Sequence, residues 1–204
     1  MTRIIYLLSL LLISEISLGQ GFGAGFIAGV STSQVSGDNL SGFNKAGLAL
    51  GGLSSLQISE HSFLQAEILY IQKGSAKTAR PDKGDLVSYK MQINYVEVPL
   101  SYIYRYNKKL DLEAGLSFGR LVFNREEDEN GILPEQRTFH DFELAAHAGL
   151  SYPLTRNLRL HWRYSNSILP IRPHLSGETY RLNRGQYNSV LIFTLRYTFS
   201  GAEN

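Results

Sequence analysis

LRLHWRYS, residues 158–165, alternates without a break. Leu158, Leu160, Trp162 and Tyr164 share one parity, and Arg159, His161, Arg163 and Ser165 share the other. Successive side chains of a β-strand point to opposite faces, so this strand has one apolar face and one cationic face. The fold turns on which face looks inward. In a water-soluble barrel the apolar parity fills the core. In a membrane barrel it faces lipid, and the cations must be accommodated inside.

The same period of two recurs along the chain, in seven further runs. Phe22, Ala24, Phe26, Ala28 and Val30 alternate mostly with glycine, which reads as a small-residue inner face rather than a phosphate loop. Leu48, Leu50, Leu56 and Ile58 mark the second run, and Leu64, Ala66, Ile68 and Tyr70 the third. The fourth carries Met91, Ile93 and Tyr95, then Val96, Val98, Leu100, Tyr102 and Tyr104, a change of phase that predicts a β-bulge near Tyr95 and Val96. The fifth opposes Leu110, Leu112, Ala114, Leu116 and Phe118 to Asp111 and Glu113. The sixth opposes Phe142, Leu144, Ala146, Ala148, Leu150 and Tyr152 to Glu143 and His147. The stretch quoted first is the seventh, and Leu191, Phe193, Leu195, Tyr197 and Phe199 mark the eighth.

The connections alternate in length. Residues 32–44, 74–88, 124–138 and 169–187 form long ones; residues 59–62, 106–109 and 154–157 form short ones. An up-and-down sheet with loops at one end and turns at the other produces this order, as outer-membrane barrels do. The expectation is an all-β chain: an eight-stranded antiparallel up-and-down transmembrane β-barrel.

The chain start agrees with export. Arg3 precedes an apolar run over residues 4–13, and Ser17 and Gly19 stand where a signal peptidase reads. Residues 1–19 are expected to be a signal peptide cut before Gln20, leaving residues 20–204 as one barrel domain. The run is shorter than the roughly 18 residues a spanning helix needs. There is no cysteine, so neither a disulfide scaffold nor a lipid-modified cysteine is available. A net charge of +2 argues against nucleic acid as a partner.

Three features favour the membrane barrel over an exported lipocalin-like barrel. Aromatic residues on the apolar parity gather near strand ends: Tyr102, Tyr104, Tyr152, Tyr197 and Phe199 at the turn end, Tyr70 and Tyr164 toward the loop end, with Trp162 nearer the middle. Such girdles match the two membrane interfaces. The last strand closes on Phe199, similar to the terminal aromatic signal of outer-membrane proteins, although residues 200–204 follow it. The polar parity carries charge of both signs. Glu67, Glu97, Asp111, Glu113 and Glu143 oppose Arg105, Arg159, Arg163 and Arg196, with His161 among them, as an expected lumen ion-pair network. Unpaired charges in a narrow interior would cost several kcal/mol each.

NYVEVPLSYIYR (residues 94–105), with FLQAEILYIQKG before it and YSNS and LRYTF after it, resembles the PorT-type outer-membrane β-barrel proteins of Bacteroidetes. The specific part is Tyr95-Val96-Glu97-Val98-Pro99-Leu100. The resemblance implies an eight-stranded outer-membrane barrel, and a part in protein secretion is what the family's named member would imply.

Chemistry is sparse. An eight-stranded barrel has room for side chains or one small ligand, so a general porin is not expected. His161 and Ser165 invite a lipid-hydrolase reading, but four residues span about 13 Å of strand, and they share the polar parity. His147 and His161 could meet inside the barrel, without further metal-ligand spacing. No catalytic residue, cofactor or metal is expected. The loops offer charge: Lys73, Lys77, Arg80 and Lys83 in one, REEDEN (residues 125–130) in the next, and Arg172, Arg181 and Arg184 in the last. Those three arginines form a candidate external anion site, suited to lipopolysaccharide phosphate. The expected partners are outer-membrane lipid, lipopolysaccharide, and envelope or secretion proteins.

Overall fold

Hydrogen-bond partners followed once around the sheet do not return to their starting residue. From Tyr152 the row runs through Leu160, Leu195, Ala28, Leu50, Tyr70, Val96 and Arg120, and arrives at Phe142, ten residues up the strand it left. Eight strands closed with that stagger tilt by about 40° from the axis. These relations come from a computed structural model that describes residues 22–38, 40, 42–134, 138–174 and 185–199. The expected signal peptide and the candidate pair Arg181 and Arg184 lie outside the described residues.

The strands are β1 (Phe22–Ser36), β2 (Lys45–Ser59), β3 (Ser62–Lys77), β4 (Tyr89–Asn107), β5 (Leu110–Asp128), β6 (Gly131–Ile132), β7 (Phe142–Pro153), β8 (Leu158–Ser167) and β9 (Tyr187–Thr198). All pairings are antiparallel; β1 pairs β9, and β4 pairs β5 to close the cylinder. β6 only folds back on the tip of β5 and lies outside the barrel. The expected eight-stranded up-and-down barrel is the observed architecture.

The apolar parity faces outward. Phe26 and Ile68 are 62% and 66% exposed, and Leu160, Trp162 and Tyr164 are exposed with them, while His161 and Arg163 are buried. An exterior of this kind has lipid as its solvent, and it excludes the lipocalin-like alternative. Of the aromatic residues expected in a girdle, Tyr102, Tyr104, Tyr152, Tyr197 and Phe199 point outward near the turns, Tyr70 and Tyr164 lie toward the loops, and Trp162 is exposed between them.

Inner glycines allow the sheet to coil. A Cβ on Gly29 would lie 2.1 Å from the Phe193 carbonyl oxygen across the β1–β9 seam, and one on Gly51 would lie 2.1 Å from that of Ile68. No side chain fits there.

Three expectations are corrected. First, several strands outrun the bilayer. β4 and β5 have 19 residues each, against about 9–11 for a crossing strand. Segments assigned to loops, including Gly74 to Lys77 and Asn124 to Asp128, are therefore strand. Second, β4 does not change phase. Met91, Ile93, Tyr95 and Glu97 all point inward; the apolar character moves from the inner face to the outer face. A register shift does occur between Asn94 and Tyr95, but the extra residue is Val122 of β5. It switches the inward parity of β5 from Leu121 to Glu126. Third, the lumen is not polar throughout. Val35, Ala49, Leu69, Ile71, Met91, Ile93, Tyr95, Phe139, Ile171, Val190 and Ile192 form a buried apolar cluster toward the loop end. Above the lipid band the barrel stands in water, and there the ordinary apolar-in pattern returns.

Candidate functional site

Every residue of the expected lumen network points inward, in three clusters along the axis. The central one is a closed ring of two carboxylates and two guanidinium groups from four strands. Arg163 of β8 forks onto Glu67 of β3 at 2.6 and 3.0 Å, and its Nε donates to Glu113 of β5 at 2.6 Å. Arg196 of β9 donates to Glu113 at 2.9 Å and to Glu67 at 2.8 Å. Gln65 donates a further bond to Glu67 at 2.6 Å. The carboxylates lie across the lumen from β8 and β9, and only closure of the sheet brings them together.

Pro99 touches this cluster indirectly. It has no N–H, and the β3–β4 ladder is interrupted between Ala66 and Leu69, opposite Leu100 and Glu97. The gap flanks Glu67.

At the turn end, Asp111 receives Arg159 at 2.5 Å and Arg105 at 3.4 Å, and both arginines are partly exposed at the mouth. Toward the loop end, Lys73 is paired with Glu97 and lies 3.0 Å from Glu143. Ser167 and Asn188 donate to Glu143 at 2.5 and 3.1 Å, and the ammonium sits 5.1 Å from the centre of the Tyr95 ring. Lys73 is the functional cation that reading the sequence placed wrongly, in a basic loop. Continuing the inward parity of Gln65, Glu67, Leu69 and Ile71 by one step would have found it. With it, the three clusters hold five carboxylates and five cations, and their charges balance.

The histidines do not form a catalytic set. Ser101 Oγ lies 2.9 Å from His147 Nε2, and Glu113 lies 3.5 Å from that same nitrogen. A nucleophile is activated when the carboxylate holds the opposite ring nitrogen, Nδ1. His161 Nε2 lies 2.9 Å from Glu113 and its Nδ1 is 3.4 Å from Thr194 Oγ1, while Ser165 stands opposite His147 in the ladder. His161 and Ser165 are thus not hydrogen-bonded to each other.

Arg172 departs from the anion-site expectation. It is buried, 3% exposed, and bonds Glu126 through both terminal nitrogens at 2.9 and 2.8 Å. Its Nε donates to Gln186 at 2.5 Å and its guanidinium lies 4.5 Å from the centre of the Phe139 ring. Burial disfavours the charged form, and the Glu126 carboxylate more than offsets it, so the pKa of Arg172 is raised. Tyr89 also donates to Glu126. The group ties residues 170–174 and Gln186 over the apolar cluster, and its burial keeps Arg172 from serving as an external anion site. Arg172→Ala is expected to speed protease cleavage within residues 168–174 of the inserted protein by about tenfold, since local opening sets that rate. Unchanged cleavage would mean that other contacts hold these residues.

A family model described as "Outer membrane protein beta-barrel domain" matches residues 14–171. No curated protein matches the chain. Among solved structures, Ail, the attachment invasion locus protein of Yersinia pestis, is similar with a TM-score of 0.53 at 15% identity, over 88% of this chain and 99% of that one. Neisserial surface protein A is similar with a TM-score of 0.54 at 16% identity, over 88% and 97%. At these identities the likeness is one of fold.

Proposed function

The chain belongs to the family of outer membrane protein β-barrel domains, and on that premise we propose that it is a non-enzymatic barrel with a plugged lumen. It acts as a structural or interaction barrel through its external loops or its periplasmic face. One observation supports this reading: inward side chains of both kinds, charged and apolar, meet across the barrel and are buried. The ring of Glu67, Glu113, Arg163 and Arg196 spans the middle, and the apolar cluster under the Arg172 latch fills the loop end. Charges committed to one another bind no solute, and the serine–histidine geometry activates no nucleophile.

The test is conductance. Reconstituted in a planar bilayer, the protein is expected to show no steady ohmic current. A stable open channel would sink the plugged-barrel reading.

A second reading, an accessory part in protein secretion, draws on the PorT-like segment. Tyr95 and Glu97 meet Lys73 inside the barrel, while Val96, Val98 and Leu100 face out. The segment therefore encodes lumen pairing and lipid contact, which any barrel of this build needs, and this weighs for the structural reading. Crosslinked outer membranes separate the two: secretion components co-purify with the chain only under the second.

A further inference from the structure

The three lumen clusters balance together but not one by one. The central ring sets two guanidinium groups against two carboxylates, and the turn-end cluster sets two against Asp111 alone. The loop-end cluster is the reverse: one ammonium, Lys73, meets two carboxylates, Glu97 and Glu143. The extra cation at the turn end is partly exposed, and water screens it. The extra anion is not, since the side chains of Lys73, Glu97 and Glu143 are 1%, 4% and 1% exposed.

The sheet brings the two carboxylates together. Glu97 of β4 and Glu143 of β7 both stand opposite Gly119 of β5. Gly119 has no side chain to separate them, and a Cβ there would lie 3.1 Å from Cγ of Glu97. The charges around the cluster are engaged elsewhere. On the turn side, Arg163 and Arg196 hold Glu67 and Glu113. On the loop side, Arg172 holds Glu126, which also accepts from Tyr89, and Asp38 lies by Ser75 and Arg172. Lys45 of β2 donates to the Ala46 carbonyl. Ser31 and Ser33 of β1, which donate to the Gln72 and Gly74 carbonyls on either side of Lys73, are neutral.

Two polar atoms at the same place are left over. The Tyr95 hydroxyl and the Asn188 carbonyl oxygen have no hydrogen-bond partner among the described residues, and neither residue has exposed surface. Asn188 also donates its amide nitrogen to Glu143 at 3.1 Å, and Ser167 donates to the other oxygen of Glu143 at 2.5 Å. Buried polar groups normally find partners. An acceptor without a donor, beside two carboxylates short of one positive charge, marks the place of an acid O–H.

We propose that the loop-end cluster binds one proton, shared between Glu97 and Glu143, so that a neutral carboxylic acid stands beside a carboxylate and the Lys73 ammonium. Two carboxylates in one dry site do not both ionise, and a buried group without a counter-charge takes its neutral form. The folded barrel then holds one proton more than the unfolded chain, so its stability falls as pH rises and the proton leaves. The loop end of the plug becomes a pH-responsive element. A blocked lumen needs no such proton, so the conductance test and the one below can fail separately.

Infrared spectroscopy of the folded barrel in detergent micelles reads the neutral acid through its carbonyl stretch, at about pH 7. Wild type is expected to show this band, Glu97→Gln and Glu143→Gln to lose it, and Glu67→Gln in the balanced ring to keep it. An amide copies the neutral acid, so Glu97→Gln or Glu143→Gln should change the unfolding equilibrium in urea less than about threefold, against about tenfold for Glu67→Gln. As pH is raised, the wild-type urea midpoint should fall over the range in which the band disappears. A wild-type spectrum without the band, or a band unchanged in both variants, overturns the site. A midpoint that does not follow the band overturns the pH response. A midpoint that rises with sodium at constant ionic strength, with no band, assigns the missing charge to a metal cation and overturns the proton.

Discussion

Glu67→Ala is expected to lower the unfolding free energy by about 3–5 kcal/mol. The substitution removes the acceptor of Arg163 and of Arg196 at once. Glu113 remains, but one carboxylate then faces two guanidinium groups that are 2% and 4% exposed. Neither can reach bulk water, because the apolar cluster lies on the loop side and the Asp111 cluster on the turn side. Glu67→Gln keeps acceptor geometry and loses the charge, so it should cost less, about 1–3 kcal/mol. Urea-induced unfolding of the barrel in detergent micelles measures both. A Glu67→Ala protein within 1 kcal/mol of wild type would mean that the ring is not what fills and holds the lumen.

Gly29→Val is expected to block barrel closure altogether. The β1–β9 seam joins the first strand to the last, and the space a Cβ would need at Gly29 is taken by the Phe193 carbonyl and the Cα of Thr194, at 2.1 and 2.6 Å. Both are backbone, so no rotamer change relieves the clash. Opening the seam would leave two strand edges in lipid, where each unpaired N–H and C=O costs several kcal/mol. Gly52→Ala is the matched control. A Cβ there meets only the Gly25 oxygen at 3.6 Å, and the change should stay within about 0.5 kcal/mol. The readout is the fraction of protein in the heat-modifiable folded form. Normal folding of Gly29→Val would show that the seam has slack that this geometry denies it.

How far the sequence alone could be read varies along the barrel. In LRLHWRYS the strand lies wholly within the lipid band, and its outward Leu160 and inward Arg163 follow from parity alone. Reading failed where strands leave the membrane. Met91, Ile93 and Tyr95 are apolar and point inward, as in any water-soluble protein, and so seemed out of phase with Val96 and Val98. The solvent outside had changed while the strand ran on. Lys73 was misplaced for the same reason, since its surroundings in sequence resemble a loop but its parity is that of Glu67. Arg172, also assigned to a surface loop, folds inward onto Glu126, a residue whose facing depends on the extra Val122 in β5.

By itself the sequence determined what depends on one strand at a time. That covers the strand count, the alternation, the order of long and short connections, and which charges share a face, because the β pleat makes facing a matter of odd and even. Only the tertiary structure decided which charges meet. Glu67 and Arg163 are 96 residues apart, and their contact depends on closing eight strands with a stagger of ten residues. Stagger is a property of the whole ring. No single strand contains it, since each register is set by packing against both neighbours at once.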